Sequence, residues 1–143
     1  MVVRTFVGAD EMSVVALWER CGLTRPWNDP RKDICRKIAV RPDLFLVGIL
    51  DGVVVASVMA GYEGHRGWIN YLAVAPEHRG KGLGRAMMAE AERLLREAGC
   101  PKINLQVRSS NTKVIEFYRR LGYTVDDVVS LGKRLESDAT GSA

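Results

Sequence analysis

The first part of the chain alternates between strand-like and helical hydrophobic spacing. Val2–Phe6 alternates weakly and predicts a first strand, while apolar residues three and four positions apart predict a helix over Glu11–Cys21. The pair Asp29-Pro30 is typical of a helix start and predicts a second helix that runs to about Val40. One strand followed by two helices is therefore expected.

From residue 44 onward the spacing changes to short apolar runs separated by turn residues. Leu44–Leu50 and Val53–Tyr62 predict two strands, and the intervening Asp51-Gly52 is typical of a two-residue hairpin turn. A second turn, at 64–67, leads into a strand over Trp68–Val74. These three strands are expected to run antiparallel.

The second half of the chain predicts helices that alternate with strands. Helical spacing is clearest over Gly82–Ala98, and a further helix is predicted over Asn111–Leu121. Strands are predicted over Lys102–Val107 and Val125–Leu131. Hairpins followed by strand–helix crossovers predict an α/β fold with a mixed, mostly antiparallel central sheet and helices on both faces.

The length of 143 residues fits one compact domain. We expect it to cover residues 1–135, with the small, polar residues 136–143 forming a disordered C-terminal tail. No apolar run approaches the ~20 residues of a membrane span, and the first residues lack the apolar core of a secretory signal. Cys21, Cys35 and Cys100 show neither metal-ligand spacing nor a disulfide framework, so the sequence predicts a cytoplasmic protein without a metal site.

The basic charge of the chain is concentrated rather than spread. The net charge is +4, and five Lys and Arg residues lie between His78 and Arg96, around a glycine-rich turn. A basic excess alone suits nucleic acid, an acidic membrane surface or an anionic cofactor. Because the charges cluster on one turn, without a reading helix or a stripe of aromatic residues, neither nucleic acid nor membrane is expected as a partner.

The glycine-rich turn itself indicates an anion site. Gly80, Gly82 and Gly84 alternate with other residues directly after a buried strand and directly before a long helix. Glycines allow backbone N–H groups to face a ligand, and the helix N-terminus adds unpaired donors and partial positive charge. The spacing matches neither a P-loop nor the Gly-x-Gly-x-x-Gly dinucleotide motif. With the charges of Arg79, Lys81 and Arg85, the turn predicts a diphosphate site.

Two motifs resemble those of the Gcn5-related N-acetyltransferase (GNAT) family. Arg79-x-x-Gly82-x-Gly84 is similar to its [Gln/Arg]-x-x-Gly-x-[Gly/Ala] signature. A second signature, an Asn followed by an aromatic-Tyr pair and Gly-[Phe/Tyr], is resembled by Asn111, Phe117-Tyr118 and Gly122-Tyr123. The segments 17–21, 25–30 and 61–67 further resemble the YpeA-like bacterial subgroup. The resemblance runs from Val2 to about Leu135 and implies a single-domain GNAT fold whose fourth and fifth strands splay apart.

The resemblance implies acetyl-CoA as the acetyl donor. Backbone amides from Gly80 to Arg85 would hold its pyrophosphate, and the main chain at a bulge in the fourth strand would bind its pantetheine arm. Asn111 could cap its helix, contact the coenzyme, or do both. The residues implied in binding acetyl-CoA are Leu72, Ala73, Val74, Arg79, Gly80, Lys81, Gly82, Leu83, Gly84, Arg85, Asn111 and Tyr118.

The family resemblance also implies a general acid, Tyr118, beside the thioester sulfur, although the residue could instead be a core aromatic. The general base is open. Trp68 and Gln106 stand where two groups of relatives have a Glu, which puts histone-type and ribosomal-protein substrates in doubt. Glu63 is the best remaining candidate, with His65 as a second, although Glu63 could instead be a solvated turn carboxylate and His65 an exposed loop residue. A water chain through Asn70 or Tyr71 would need no strong base.

The acceptor is expected to be a primary amine of a small molecule, peptide or protein. Its cleft would be lined by Trp18, Trp27, Asn28 and Asp29, although Trp18 could instead pack in the core and the loop be no more than a rigid connection. A non-catalytic acyl-CoA sensor on the same fold is the alternative, favoured by the missing Glu residues and disfavoured by Tyr118. Small members of the family often pair, so a homodimer is an expectation by analogy.

Overall fold

The structure of the protein is a computed structural model that describes residues 1–138. Residues 139–143, most of the predicted tail, lie outside the described residues. The strands are β1 (Val2–Thr5), β2 (Phe45–Leu50), β3 (Val53–Tyr62), β4 (Gly67–Val74) and β5 (Ile103–Leu105). The helices are α1 (Glu11–Arg20), α2 (Pro30–Ile38), α3 (Leu83–Glu97) and α4 (Thr112–Arg120).

The five strands form one sheet in the order β1-β2-β3-β4-β5. Neighbouring strands run antiparallel from β1 to β4, whereas β4 and β5 run parallel because α3 crosses over between them. Asp51 and Gly52, with φ of 50° and 76°, form the predicted hairpin turn. The predicted α/β fold with a mixed, mostly antiparallel sheet is confirmed.

Helices cover both faces of the sheet. On one face, Trp18 of α1 and Ile34 of α2 pack on Phe45 and Val47 of β2. On the other face, side chains of α3 and α4 pack on those of the same strands that point the opposite way: Leu46, Ala56, Val58, Ala60 and Ile69. The alternation of Phe45, Leu46 and Val47 between the two faces follows from the two-residue period of a strand.

The predicted sixth strand over Val125–Leu131 is wrong within the described residues, where no strand follows α4. Val125, Val129 and Leu131 would share one face of a strand, but Asp127 lies between them on that face and Val128 falls on the other, so neither face is continuously apolar. The four apolar residues are all at least 74% exposed. The segment instead reaches β5 through side chains, since Asn104 donates a hydrogen bond of 2.7 Å to Asp126.

A bulge interrupts β4 near its middle. Met59 pairs with Asn70 and Ser57 pairs with Ala73, so two residues of β4, Tyr71 and Leu72, lie opposite the single residue between them on β3. Tyr71 has a φ of 52°, a conformation that costs a non-glycine residue roughly 1–2 kcal/mol. A bulge in the fourth strand is the feature that the family resemblance implied.

The contacts of Tyr71 explain how this conformation is maintained. Its ring stacks on that of Trp18, with centroids 3.8 Å apart and planes 11° from parallel. Ser57 donates a hydrogen bond of 2.8 Å to the carbonyl of Tyr71 and accepts one of 2.8 Å from Trp18 Nε1. Tyr71 Oη donates a hydrogen bond of 2.6 Å to Asp33. The bulge is therefore held from α1, α2 and β3 together.

The strands β4 and β5 separate beyond the bulge. They pair only over Gly67–Ile69 and Ile103–Leu105, which leaves the β5 side of Tyr71 and Leu72 without a neighbouring strand. The implied splay of the fourth and fifth strands is confirmed. It opens a slot through the sheet, from the α2 face to the α4 face.

Ser57→Ala is expected to lower the free energy of unfolding by about 1–3 kcal/mol, because it leaves Trp18 Nε1 and the Tyr71 carbonyl buried without partners. Urea unfolding measures the loss. Ser13→Ala, on the exposed face of α1, is the matched control and should stay within about 0.5 kcal/mol of the parent. A loss no larger than that of the control would contradict this account of the bulge.

Candidate active site

A cavity of about 840 Å³ occupies the slot between β4 and β5. It is lined from one side by the α1–α2 loop and α2, and from the other by the β5–α4 loop and α4. Tyr71 and Leu72 of the bulge form its floor together with Leu105, Gln106 and Val107. The cavity therefore connects the two helical layers, so that ligands entering from opposite faces can meet within it.

Tyr118 reaches the cavity from α4. The residue is 8% exposed and packs edge-on against Tyr123 with ring centroids 5.6 Å apart. Tyr123 is fixed in turn by a hydrogen bond of 2.6 Å to Glu92 of α3. Burial raises the pKa of Tyr118 to about 12, so its hydroxyl is protonated at neutral pH. Within the described residues that hydroxyl has no hydrogen-bond partner, which leaves it available to a ligand.

The start of α4 is positioned by Asn111 and by a close packing contact with α3. The Asn111 side chain accepts a hydrogen bond of 3.4 Å from the amide of Val114 and also lines the cavity. Helix capping and a place at the site are therefore combined in one residue. At Gly84, a Cβ would lie 3.2 Å from the ring of Phe117, so the absence of a side chain lets α3 and α4 approach closely.

The turn before α3 has the geometry of an anion site. Gly80 and Gly82 have φ of 78° and 79°, the left-handed conformation that glycine adopts without a steric penalty. Among residues 1–138, no backbone amide from Gly80 to Arg85 donates a hydrogen bond; the first that does is Ala86, to the carbonyl of Gly82 at 3.1 Å. These free N–H groups at a helix N-terminus fit the pyrophosphate of acetyl-CoA.

The basic side chains of this turn have different neighbours. Arg79 donates from Nε to the carbonyl of Val74 at 3.2 Å, which fixes the end of β4. Lys81 Nζ lies 3.4 Å from His78 Nδ1. Arg85 is exposed. Leu72 lines the cavity, whereas the side chain of Ala73 is buried in the core, so its contribution to a ligand would come from the main chain.

A carboxylate that sequence reasoning missed, Asp33, lies in the acceptor half of the cavity. Its Oδ2 accepts hydrogen bonds from Tyr71 Oη, at 2.6 Å, and from Asn28 Nδ2. Asn28 Nδ2 also lies 2.9 Å from Tyr71 Oη. Burial, and then the hydrogen bond with Asp33, raise the pKa of Tyr71. The bulge residue is thus tied directly to an acid at the site.

Helix α2 presents one face to the cavity. Asp33, Arg36 and Lys37, three and four residues apart, line the cavity from the helix, and Val40 lines it just beyond the helix C-terminus. The signal was in the sequence, because residues with this spacing share a helix face. The sequence alone could not show that this face of α2 lines a cavity, since the same spacing is also found on a face exposed to solvent.

Glu63 does not lie with the other candidates. It is exposed in the β3–β4 turn, accepts hydrogen bonds from the amides of Arg66 and His65 (2.9 Å for His65), and does not line the cavity. These bonds, that of Arg66 first, lower the pKa of Glu63. His65 is likewise exposed in the turn. The structure gives Glu63 a turn-stabilising contact, and its role as a base stays a prediction.

The predicted acceptor-lining residues divide into two groups. Trp27 and Asn28 line the cavity. Trp18 is buried beneath Tyr71, and Asp29 caps α2 by accepting hydrogen bonds of 2.9 Å and 3.4 Å from the amides of Arg31 and Lys32. These two residues shape the cavity wall without contacting its interior.

Residues 124–138, here named the C-terminal segment, connect the two walls of the cavity. Ser130 accepts a hydrogen bond from Gln106, and Arg134 donates one of 3.2 Å to Asn28. Asp138 accepts two from Arg36, at 2.6 Å and 3.1 Å, and one of 3.0 Å from the amide of Asp29. Gln106, Asn28 and Arg36 all line the cavity, so the segment runs alongside it from β5 to α2.

Among residues 1–138, no group of three or more His, Cys, Asp or Glu side chains is arranged to hold a metal ion. None of the described helices combines the length and apolar composition needed to cross a bilayer.

Comparison with known proteins identifies the class to which this fold and site belong. Residues 7–123 match the acetyltransferase (GNAT) family. A protein named acetyltransferase from Pectobacterium atrosepticum is 50% identical over 138 residues, which cover 96% of this chain and 98% of that protein.

Solved structures agree with the sequence match. Ard1 from Thermoplasma volcanium has a TM-score of 0.77 at 26% identity, covering 87% of this chain and 83% of that one. Naa20 from Chaetomium thermophilum, solved with a bisubstrate analogue, has a TM-score of 0.71 at 26% identity, covering 87% and 72%.

The chain belongs to the GNAT family. It is an acetyl-CoA-dependent acetyltransferase. The YpeA-like subgroup and the cytoplasmic location stay predictions.

Asp138→Asn is expected to destabilise the protein at pH 7, with an effect that shrinks as the pH falls. The hydrogen bonds from Arg36 and then from the Asp29 amide lower the pKa of Asp138 in the folded state. The stabilisation is therefore present above the unfolded-state pKa of about 4 and is lost on acidification below it. Thermal unfolding between pH 3 and pH 7 measures the difference.

The matched control is Asp127→Asn, which removes the same charge from an exposed position of the C-terminal segment. Its effect should be small at every pH. Equal pH dependence of the two variants would show that the Asp138–Arg36 contact does not stabilise the folded protein.

Proposed function

We propose that the protein transfers the acetyl group of acetyl-CoA directly to a primary amine, without a covalent acyl-enzyme. The observation that carries this proposal is the single cavity through the splayed sheet. One of its walls bears the Tyr118 hydroxyl and the other bears Asp33, Asn28 and Trp27. The thioester and the amine would enter from opposite faces and react between these walls.

The chain offers the coenzyme contacts of three kinds. The free amides from Gly80 to Arg85 would bind the pyrophosphate. The edge of β4 beyond Ile69 would bind the pantetheine arm through the main chain, as an added strand binds a sheet edge. Backbone N–H groups near the bulge would polarise the thioester carbonyl.

Tyr118 would act on the departing sulfur. The amine nitrogen bonds to the carbonyl carbon, the carbon–sulfur bond breaks, and the hydroxyl of Tyr118 donates to the thiolate. A phenol with a pKa of about 12 is a weaker acid than a thiol, whose pKa is about 8.5. Tyr118 therefore serves first as a hydrogen-bond donor to the departing sulfur. Its proton passes to the sulfur only as solvent supplies another proton to the phenol.

The acceptor ammonium must also lose a proton, and Asp33 is better placed to accept it than Glu63. Asp33 lines the cavity and is linked through Tyr71 Oη to the bulge, whereas Glu63 is exposed in a turn outside it. Transfer to Asp33 would be direct or through a water molecule. Trp68 and Gln106, where relatives have a Glu, carry no carboxylate to compete for this role.

Tyr118→Phe is expected to lower kcat by about 10- to 100-fold, because it removes the donor to the leaving sulfur while keeping the ring packed against Tyr123. The Kd of acetyl-CoA should change less than about threefold. Thiol release with a panel of amines measures kcat, and calorimetry measures Kd. Failure of the parent protein to bind acetyl-CoA would overturn the proposed function, while binding without turnover on any amine would favour an acyl-CoA sensor.

Asp33→Asn and Glu63→Gln separate the two candidate bases. Asp33→Asn should lower kcat/KM by about 100-fold. Glu63→Gln should keep kcat/KM within about twofold of the parent, since the amide can still accept from the turn. The reverse ranking would assign the base to Glu63. Circular dichroism of both variants checks that the fold is retained.

A further inference from the structure

Two basic side chains that line the cavity make no hydrogen bond or ion pair with the described residues: Arg108 of the β5–α4 loop, which is exposed, and Lys37, which is buried. Lys37 of α2 is 9% exposed and lines the acceptor half of the cavity. Within residues 1–138 its ammonium makes no hydrogen bond or ion pair. Its nitrogen is not fully enclosed, because no described side-chain nitrogen or oxygen is both fully enclosed and unpartnered.

The neighbours of Lys37 do not neutralise it. A Cβ added at Gly61 would lie 3.7 Å from Lys37 Nζ, so the ammonium sits over a glycine of β3 instead of a polar side chain. Asp43 attracts it, but Asp43 accepts hydrogen bonds of 3.0 Å and 2.9 Å from Arg41, whose charge repels Lys37. Burial lowers the pKa of Lys37. A largely buried cation without a partner is unfavourable unless a ligand supplies an anion.

The other charges on this wall are already engaged. Arg36 is paired with Asp33 and Asp138, and Arg25 donates hydrogen bonds of 2.7 Å and 2.8 Å to the carbonyls of Gly22 and Thr24. Asp33 is the one acidic residue among the described residues that line the cavity, against four basic ones. A polycationic acceptor is therefore poorly matched to this wall.

The anion that Lys37 would bind does not belong to acetyl-CoA. The charged part of the coenzyme is assigned to the amides from Gly80 to Arg85, on the α3 side of the sheet. The arm that would enter the slot is uncharged. Lys37 lies on α2, on the opposite side. The anion must come with the acceptor.

We propose that Lys37 binds a carboxylate of the acceptor, so that the substrates are amines that carry a carboxylate close to the reactive nitrogen. This inference rests on the proposed function and specifies its acceptor. Residues four apart on a helix are separated by ~6 Å along the axis. Asp33 at the amine and Lys37 at the carboxylate therefore suit two groups of one amino acid or one acidic residue of a peptide.

Matched acceptors test the proposal. Free L-amino acids are compared with their carboxamides and with the corresponding amines that lack the carboxyl group, using thiol release from acetyl-CoA. A second arm compares tripeptides with amidated C-termini, with and without an acidic side chain. Acceptors with a carboxylate should have kcat/KM about tenfold or more above their neutral partners. The arm that shows this preference distinguishes a free amino acid from a peptide.

Lys37→Met assigns the preference to this residue. It should raise KM for the carboxylate acceptors about tenfold or more, leave neutral acceptors unchanged, and raise the melting temperature because an unpaired buried cation is removed. Lys37→Arg should retain part of the preference. Lys32→Met, an exposed position on the same helix, is the matched control and should behave as the parent protein.

Equal use of acids and amides, including no use of either, overturns the proposal, as does an unchanged KM in Lys37→Met. The Kd of acetyl-CoA, measured by calorimetry on the same proteins, keeps this separate from the proposed function. Intact acetyl-CoA binding with turnover of neutral amines removes only the role of Lys37, whereas loss of acetyl-CoA binding by the parent removes both.

Discussion

The positive φ of Tyr71 is the constraint on which the site depends. One extra residue in β4 turns the strand away from β5, and the slot through the sheet exists because the two strands no longer pair. The conformation is unfavourable by itself, but the stacking of Trp18 and the hydrogen bonds with Ser57 and Asp33 each oppose its relaxation. The contacts that hold Tyr71 in this strained conformation also place the Asp33 carboxylate beside the slot.

The elements could largely be predicted from the sequence because their hydrophobic period is clear. Helix α3 and the Asp51-Gly52 hairpin have strong local signals, and the structure has them where the pattern indicates. The prediction of a final strand is wrong for a reason that can be found in its sequence. Val125 and Val129 would share one face of a strand, but Asp127 interrupts that face and Val128 falls on the other, so the segment offers the sheet no continuous apolar face. Composition alone was a poor guide where periodicity was absent.

The site was predictable only where a motif carries the geometry locally. Gly82 and Tyr118 belong to such motifs: the amides around Gly82 donate no hydrogen bond within the described residues and Tyr118 lines the cavity, while their roles in binding and catalysis stay predictions. Asp33 and Lys37 have no motif. Their meaning depends on which face of α2 turns toward the opening and on whether a partner is nearby, and both are properties of tertiary packing. Glu63 shows the converse, since a carboxylate next to an active strand can be engaged by its own turn.

The slot separates the proposed donor and acceptor sites, and this separation determines which substitutions can change one site without the other. In the proposed complex, the amides before α3 and the edge of β4 recognise features that every acetyl-CoA molecule has, and this recognition depends on backbone geometry rather than side-chain identity. The acceptor wall is built from side chains of α2 and the preceding loop, linked to the C-terminal segment through Arg36 and Asp138. Substitutions on α2 at positions other than Asp33, which holds the bulge, can therefore change the charge presented to the acceptor without disturbing the donor site. An unpaired lysine on that wall costs stability in the free protein, and a cost of this kind persists where the bound ligand supplies the missing partner.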